Sequence, residues 1–387
     1  MRIVFYAPLK SPYHPTPSGD RQMARLLIGA LNSIGHEVNV VSEFRSYDRS
    51  ANGSKQEKIC QAAELEAILL EEHFSSLHPN QRPELWLTYH VYYRAPDWLG
   101  PRLSQKLGIP YVIAEASLAS KRASTPWIIG HEATQKAITI ADAIICLTRH
   151  DLQSLRNQNI CGDHVHYLPP FIDTAPFTET RKQRVKARRT LNEKFRCSLN
   201  KPWLLSVGML RYGDKLASYQ LLASALRKML DEDWQHLIVG DGEARTSVEE
   251  AFSEFPDQRI IFLGKLPQED LALIYAACDI YVWPAVNEAY GLSFLEAQAA
   301  GLPIVSARVR GVPDVVQDHE SGLLSPEGDI EGFANLMLQL LKDKKRRESM
   351  GNQGAHFVHT ERGIRNAAQG LHRILSTVRA FSRKPQP

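Results

Sequence analysis

The chain of 387 residues lacks the sequence features that mark disulfide-rich, zinc-binding, membrane-spanning and nucleic-acid-binding proteins. Its five cysteines are scattered and form no CxxC pair, which argues against a disulfide framework or a structural zinc site. It has no apolar run of about 18 residues, so no membrane-spanning helix is predicted. The formal net charge of +3 is too small to predict nucleic-acid binding. We therefore expect a globular protein of a reducing cytoplasm.

Both halves of the chain alternate short apolar runs with helical patterns. Because 387 residues are many for one core, two domains are predicted. The alternation predicts parallel sheets covered by helices on both faces. The expected strands are residues 2–7, 37–42, 84–90, 111–116, 143–148 and 164–168, then 203–207, 236–239, 260–263, 280–283, 303–307 and 322–324. The predicted fold class is α/β, with two doubly wound, Rossmann-like domains facing each other across a cleft.

A Pro169-Pro170 break and a basic run set the expected domain boundaries. The prediction gives a first domain, a basic linker, a second domain and a C-terminal helix that packs back on the first domain. These are residues 1–175, 176–200, 201–362 and 363–387. Ligands of doubly wound domains bind outside the carboxyl ends of the strands, so the loops there carry the candidate site residues.

Two glutamates follow the apolar run 280–283. Glu288 lies in a loop, and Glu296 lies about one turn inside the next helix. The amides of Tyr290, Gly291 and Leu292 mark the N-terminus of that helix, which attracts anions. Carboxylates beside an anion site suit a ligand with hydroxyls and phosphate, such as a nucleotide-sugar. The alternative is an ordinary strand–loop–helix corner with two solvated glutamates.

The loop after the apolar run 203–207 carries two cations. Lys215 falls in the first turn of a helix, where a cation opposes the helix dipole. An anionic ligand would remove that conflict, and Arg211 could hold phosphate oxygens in a bidentate way. The alternative is a surface turn in which Asp214 offsets Lys215.

Two glycines after strands are candidates for close backbone approach to a ligand. Gly240 begins a segment like a dinucleotide fingerprint, but Arg245 occupies the third glycine position, so no nicotinamide site is predicted. Gly240 either meets a nucleotide or forms a simple tight turn. Gly19, after the first strand, could let the backbone approach a phosphate.

Polar residues also end two strands of the first domain. His90 is expected to end its strand, and Glu115 lies near the end of the next. Either could bind sugar hydroxyls or move protons, whereas the alternative for His90 is a hydrogen-bonded structural role. Asp231 and Asp233 have the spacing of a metal-binding pair, but they are expected at the opposite edge of the sheet. No metal is therefore expected.

The basic run 181–189 has two interpretations. It could contact anionic lipid headgroups at the inner face of a membrane, each charge contributing about 1 kcal/mol. Otherwise it is a solvated linker helix.

Taken together, these motifs resemble the retaining glycosyltransferases of family 4, which have the GT-B fold. The most specific match is Glu288-x7-Glu296, followed by Ala300-Gly301-Leu302-Pro303. Supporting matches are Val207-Gly208 with Arg211 and Lys215, Val239-Gly240-Asp241-Gly242, and Gly311-Val312-Pro313-Asp314.

The resemblance implies a metal-independent, retaining hexosyl transfer from a nucleoside-diphosphate sugar to a hydroxyl of a glycan, a lipid-linked acceptor or a small molecule. No cofactor is implied. Glu288, Arg211 and Lys215 would be the catalytic residues, with Glu288 on the donor sugar and the two cations on the diphosphate. Glu296 would bind the ribose. The other implied donor-binding residues are Gly19, Gly208, Gly240, Leu266, Tyr290, Gly291 and Leu292.

The sequence departs from the family pattern at three places. A single glycine, Gly19, stands where two are common, Met209 stands where an arginine is common, and Glu115 lies nearest to the place of a common histidine. Alternatives are an epimerase or sugar-phosphate synthase of the same architecture and a non-catalytic nucleotide-sugar-binding protein.

Overall fold

A computed structural model describes residues 1–119 and 122–382. The chain divides into two compact units, Met1–Pro169 with the segment from Ile364 onward, and Pro170–Gly363. None of the helices in the described residues is both long and apolar enough to cross a membrane.

The first unit contains one parallel sheet with helices between its strands. The described elements are β1 (Arg2–Tyr6), α1 (Gly19–Ser33), β2 (Glu37–Val40), α2 (Gly53–Ser76), a 3-10 turn (Pro79–Gln81), β3 (Leu85–Tyr92), α3 (Gly100–Leu107), β4 (Tyr111–Ser117), α4 (Ile128–Ile140), β5 (Ala143–Cys146), α5 (Arg149–Arg156) and β6 (Val165–Tyr167). The strand order is β2-β1-β3-β4-β5-β6, and the order reverses between β1 and β3. Such a reversal opens a crevice at the carboxyl ends of these two strands.

The second unit repeats this plan. Its elements are α6 (Ala175–Arg181), α7 (Arg184–Phe195), β7 (Trp203–Val207), α8 (Asp214–Arg227), β8 (Gln235–Val239), α9 (Arg245–Ala251), β9 (Ile260–Gly264), α10 (Gln268–Ala277), β10 (Ile280–Trp283), α11 (Leu292–Ala299), β11 (Ile304–Ala307), α12 (Val312–Val315), β12 (Gly322–Ser325), α13 (Ile330–Lys342) and α14 (Lys344–Glu361). The order is β12-β11-β10-β7-β8-β9, which places the reversal between β7 and β10.

Apolar runs form the strands because both faces of each sheet are covered. The strands β5, β8, β10 and β11 are buried at every position, as expected for parallel strands between helix layers. Helix starts follow local capping chemistry: Ser18 accepts a hydrogen bond from the amide of Arg21, and Asp329 accepts one from that of Gly332.

The final helix, α15 (Ile364–Ser382), belongs to the first unit and contacts α1. Its buried face includes Ala368, Leu371 and Leu375, and the ring of His372 stacks on that of His36. The last five residues of the predicted segment 363–387 lie outside the described residues.

Residues 176–200, predicted as a linker, instead form α6 and α7, which pack on α10 inside the second unit. Two arginines of the basic run hold this packing. Arg184 and Arg188 each donate to the carboxylate of Asp279 at 2.7 Å, and Asp279 also accepts from the amide of Trp203 at 2.7 Å. The sequence could not show this, because Asp279 is more than 90 positions away.

Candidate functional site

The loops that leave β7 and β10 lie at the reversal of the second sheet. β7 and β10 are hydrogen-bonded neighbours, with Leu204 beside Ile280. Their exits lead to α8 and α11, so the N-termini of both helices belong to this corner of the unit. Most of the donor-binding residues that the family resemblance implies lie at these two exits, whereas Gly19, Gly240 and Leu266 follow other strands.

The centre of this corner is an ion pair between Lys215 and Glu288. The ammonium Nζ lies 2.5 Å from Oε2 of Glu288, and the indole of Trp283 donates to the same oxygen at 3.3 Å. The ammonium also lies 5.2 Å from the centre of the Trp283 ring. Only 18% of the Glu288 side chain is exposed, so the solvated glutamate of the alternative interpretation is wrong at this position.

The loop that carries Glu288 is held in a strained shape. Ala285 and Asn287 have φ angles of 62° and 50°, in the left-handed region that side chains disfavour. Asn287 donates to Asp214 at 2.9 Å, and the amide of Val286 donates to the hydroxyl of Ser218 at 3.0 Å. Asp214 therefore binds the loop that carries Glu288.

Two arginines belong to the loops around the pair: Arg211 precedes Lys215 by four residues, and Arg310 contacts the loop that carries Glu288. The Arg211 side chain is half-buried and contacts the sulfur of Met209, while Arg310 donates to the side-chain oxygen of Asn287 at 3.2 Å. Among the described residues, no carboxylate forms an ion pair with either guanidinium. Sequence reasoning missed Arg310 and Trp283, since neither belongs to the glutamate spacing.

Glu296 is also a partnered carboxylate. The hydroxyl of Tyr275 on α10 donates to its Oε2 at 2.9 Å. Burial raises the pKa of Glu296, and the Tyr275 hydrogen bond opposes that rise. The second solvated glutamate of the alternative is thus wrong as well.

The amides of Tyr290, Gly291 and Leu292 stand at the start of α11. Gly291 takes the cap position with φ 75°, and no described side chain caps the helix. The amide of Phe294 bonds back to the carbonyl of Gly291 at 3.1 Å, which closes the first turn. The positive end of this helix therefore lies next to the Glu288 loop.

The predicted glycines of the β7 and β8 exits pack on each other. A Cβ on Gly240, whose φ is 148°, would lie 1.8 Å from the carbonyl oxygen of Gly208. That carbonyl also accepts from the hydroxyl of Tyr219 at 3.0 Å. This contact accounts for glycine at 240, and nucleotide binding there stays a prediction. Leu266 is half-buried after β9.

A second cluster lies at the reversal of the first sheet. Gly19 begins α1, and a Cβ there would meet nothing within 4 Å. The next residue, Asp20, contacts the ring Nδ1 of His90 at 2.9 Å, and Glu115 lies 3.7 Å from the same nitrogen. The first unit therefore brings the predicted His90 and Glu115 together with the carboxylate of Asp20.

His90 does not end its strand as predicted, because β3 runs on to Tyr92. His90 and Glu115 have φ angles of 63° and 64°, so both leave the extended conformation inside strands. Such conformations cost about 1 to 3 kcal/mol each and persist where the surroundings impose them.

The carboxylates govern the charge of His90. Burial lowers its pKa, but Glu115 and Asp20 outweigh burial and raise the pKa to about 9. Burial also raises the pKa of Glu115 to about 7, against the opposing charge of His90. At neutral pH the ring is a charged hydrogen-bond donor.

This pKa shift predicts a pH-dependent stability. A histidine raised from 6.5 to about 9 stabilises the fold fully below pH 6.5, and that contribution is lost as pH rises through 9. The melting temperature is therefore expected to fall between pH 6.5 and 9, and His90→Gln should remove part of that fall. An equal slope in His90→Gln and in the exposed control His78→Gln would contradict the assignment.

The described residues contain no group of three or more His, Cys, Asp or Glu side chains that could hold a metal ion. Asp233 pairs with Lys201 at 2.9 Å and is 77% exposed, and Glu232 pairs with Lys342 at 2.6 Å. The acidic triplet Asp231-Glu232-Asp233 is therefore a solvated turn between α8 and β8.

Comparison with known proteins identifies one region. Residues 187–357 match the family described as glycosyl transferases group 1. The sulfoquinovosyl transferase SQD2 of Arabidopsis thaliana is 34% identical over 154 residues, which are 39% of this chain and 29% of that protein. The chain spans between 29% and 52% of the length of the first curated relatives it matches.

Solved structures match nearly the whole chain. Sucrose-phosphate synthase of Thermosynechococcus elongatus has a TM-score of 0.77 at 19% identity, over 98% of this chain and 100% of that one. Anabaena HepE, solved with UDP and glucose, has a TM-score of 0.71 at 15% identity, over 97% of this chain and 100% of that one. The predicted pair of doubly wound, GT-B domains is confirmed.

Proposed function

We propose that the chain is a metal-independent, retaining glycosyltransferase of family 4. It moves a sugar from a nucleoside-diphosphate donor to a hydroxyl of its acceptor. The observation that carries the proposal is the Lys215–Glu288 pair at the reversal of the second sheet, beside the N-terminus of α11. This corner lies within residues 187–357, which match the group 1 glycosyltransferase family, and a structural neighbour was solved with UDP and glucose.

The proposed mechanism depends on positive charge at the leaving diphosphate. The bond between the sugar C1 and the β-phosphate oxygen breaks, and charge develops on that oxygen. Lys215, Arg211 and the N-terminus of α11 stabilise this charge, as preorganised donors do in other active sites. The acceptor oxygen bonds to C1 on the same face, and its proton passes to the leaving phosphate. No protein group is assigned as the base.

The carboxylates take the hydroxyls of the donor. Glu288 contacts the sugar and Glu296 the ribose, because each is fixed by a partner while keeping acceptor capacity. On the first unit, His90 and Glu115 bind the acceptor hydroxyl. The ring Nε2 is the nitrogen of His90 that faces away from the Asp20 and Glu115 contacts, which both use Nδ1.

A donor screen tests the proposal. UDP, GDP, ADP and CDP sugars are compared by thermal shift, since a ligand at 100 times its Kd stabilises by about 2.7 kcal/mol. One base is expected to give a shift that Lys215→Ala reduces. No shift with any nucleotide-sugar would overturn the donor class. Hydrolysis or inversion of the donor sugar without an acceptor would indicate the epimerase. Donor binding without any turnover would indicate the non-catalytic nucleotide-sugar-binding protein.

Transfer is expected to continue in excess EDTA. The two cations and the helix end supply the positive charge that Mg²⁺ supplies elsewhere, and the acidic triplet near Asp233 is engaged by lysines. Rates with EDTA and with added Mg²⁺ should agree within about twofold. Strict dependence on the metal would contradict the metal-independent mechanism.

A further inference from the structure

The segment that follows β3 carries two arginines around one tyrosine. The guanidinium of Arg94 lies 5.5 Å from the centre of the Tyr93 ring, and that of Arg122 lies 5.0 Å from it. Arg94 also lies 5.3 Å from the ring of Trp127. Two like charges thus lie near one aromatic ring, and a bound anion would offset the repulsion between them.

Neither arginine has a carboxylate partner among the described residues. The Nε atoms of Arg94 and Arg122 are buried, and neither donates a hydrogen bond within that part of the chain. The nearby Asp48 is engaged elsewhere: its amide donates to the carbonyl of Arg94 at 2.8 Å, while its carboxylate pairs with Lys55 at 2.9 Å. Buried donors of this kind need an acceptor.

A helix N-terminus meets the same place. The cap of α4 is Trp127, whose own side chain makes no capping hydrogen bond, and the first turn contains no acidic residue. The amide of Gly130 in this turn donates to the neutral side-chain oxygen of Gln56 at 3.2 Å, which leaves the positive end of the helix without a balancing charge. A Cβ on Gly130 would lie 2.1 Å from the carbonyl oxygen of Tyr93, so the first turn of α4 packs directly on the segment that carries Arg94. The positive end of a 13-residue helix therefore adds to the two guanidinium groups.

We propose that Arg94, Arg122 and the N-terminus of α4 form a binding site for a phosphate monoester. Guanidinium groups match phosphate oxygens in a bidentate way, and a dianion suits two cations and a helix end. Arg94 follows β3 at the carboxyl edge of the first sheet, four residues after His90. The ligand is therefore a phosphate-bearing acceptor, an identity that rests on the proposed function, whereas the phosphate site itself does not.

Calorimetric titration of the full chain tests the site with glycerol 3-phosphate, glycerol and inorganic phosphate as probes. Glycerol 3-phosphate is expected to bind, and glycerol to show no measurable binding. Arg94→Gln and Arg122→Gln should each weaken binding by about tenfold or more, because each removes a charged donor. Arg94→Lys and Arg122→Lys keep the positive charge and should retain part of the affinity for glycerol 3-phosphate. Arg102→Gln is the matched control, since Arg102 pairs with Glu71 on the same unit.

Three outcomes would overturn the proposal. The first is equal binding of glycerol 3-phosphate by the Gln variants and the control. The second is binding of inorganic phosphate without binding of glycerol 3-phosphate. The third is loss of glycerol 3-phosphate binding in Lys215→Ala, which would place the phosphate at the donor corner. Retained binding in Lys215→Ala supports a separate site even if every donor sugar fails. Melting curves of each variant distinguish lost binding from lost folding.

Discussion

The Lys215→Ala variant is expected to fold and to lose roughly a hundredfold to a thousandfold in kcat, the effect of removing one preorganised donor from an oxyanion site. The ammonium lies 31% exposed at the start of α8, so its removal leaves no cavity in the core. In the proposed mechanism its charge acts mainly in the transition state, when the diphosphate leaves. The loss should therefore appear in kcat more than in KM.

Glu288→Ala is expected to show a comparable loss with a different signature. Removing this carboxylate takes away the proposed contact to the donor sugar and leaves Lys215 without its 2.5 Å partner. We therefore expect both KM and kcat to change. The losses in the double variant should be much less than additive, since the two side chains are bound to each other.

The control for both variants is Lys228→Ala, which breaks an exposed pair with Glu331 in the same unit. It should keep the parent rate, because exposed pairs contribute about 0 to 1 kcal/mol. Steady-state rates and melting temperatures are measured together. Full activity of both Lys215→Ala and Glu288→Ala would show that the donor does not bind at this corner.

The strands could be predicted from the sequence because buried parallel strands are continuous apolar runs. Residues 280–283 and 203–207 coincide with β10 and β7. The partnership of Lys215 with Glu288 could not be predicted, since it requires β7 and β10 to be neighbours. That adjacency follows from the crossover order, which is a property of the whole sheet.

Backbone conformation set a second limit. The sequence predicted His90 and Glu115 at strand ends, but residue type does not show that both adopt positive φ within β3 and β4.

The basic run 181–189 set a third limit on prediction, because the sequence does not show whether a charged side chain contacts solvent or a distant carboxylate. Arg184 and Arg188 meet Asp279. Their positions at helical spacing gave no signal of that contact.

Gly240→Ala is expected to have the largest effect on stability, about 2 to 6 kcal/mol less free energy of unfolding for the second unit. A φ of 148° costs a side chain about 1 to 3 kcal/mol. The added Cβ would also lie 1.8 Å from the carbonyl oxygen of Gly208, and overpacking typically costs about 1 to 3 kcal/mol more. The carbonyl is backbone, so it can move only if the β7 exit moves.

Gly264→Ala is the matched control for this prediction. Gly264 ends the adjacent strand β9 with φ 70°, and a Cβ there meets nothing within 4 Å. Only the left-handed conformation is penalised, at about 1 to 2 kcal/mol. Since the β7 exit leads to Arg211 and Lys215, Gly240→Ala should weaken donor binding as well, while Gly264→Ala should not. Similar melting temperatures and donor affinities for the two variants would show that the Gly208 contact does not position the site.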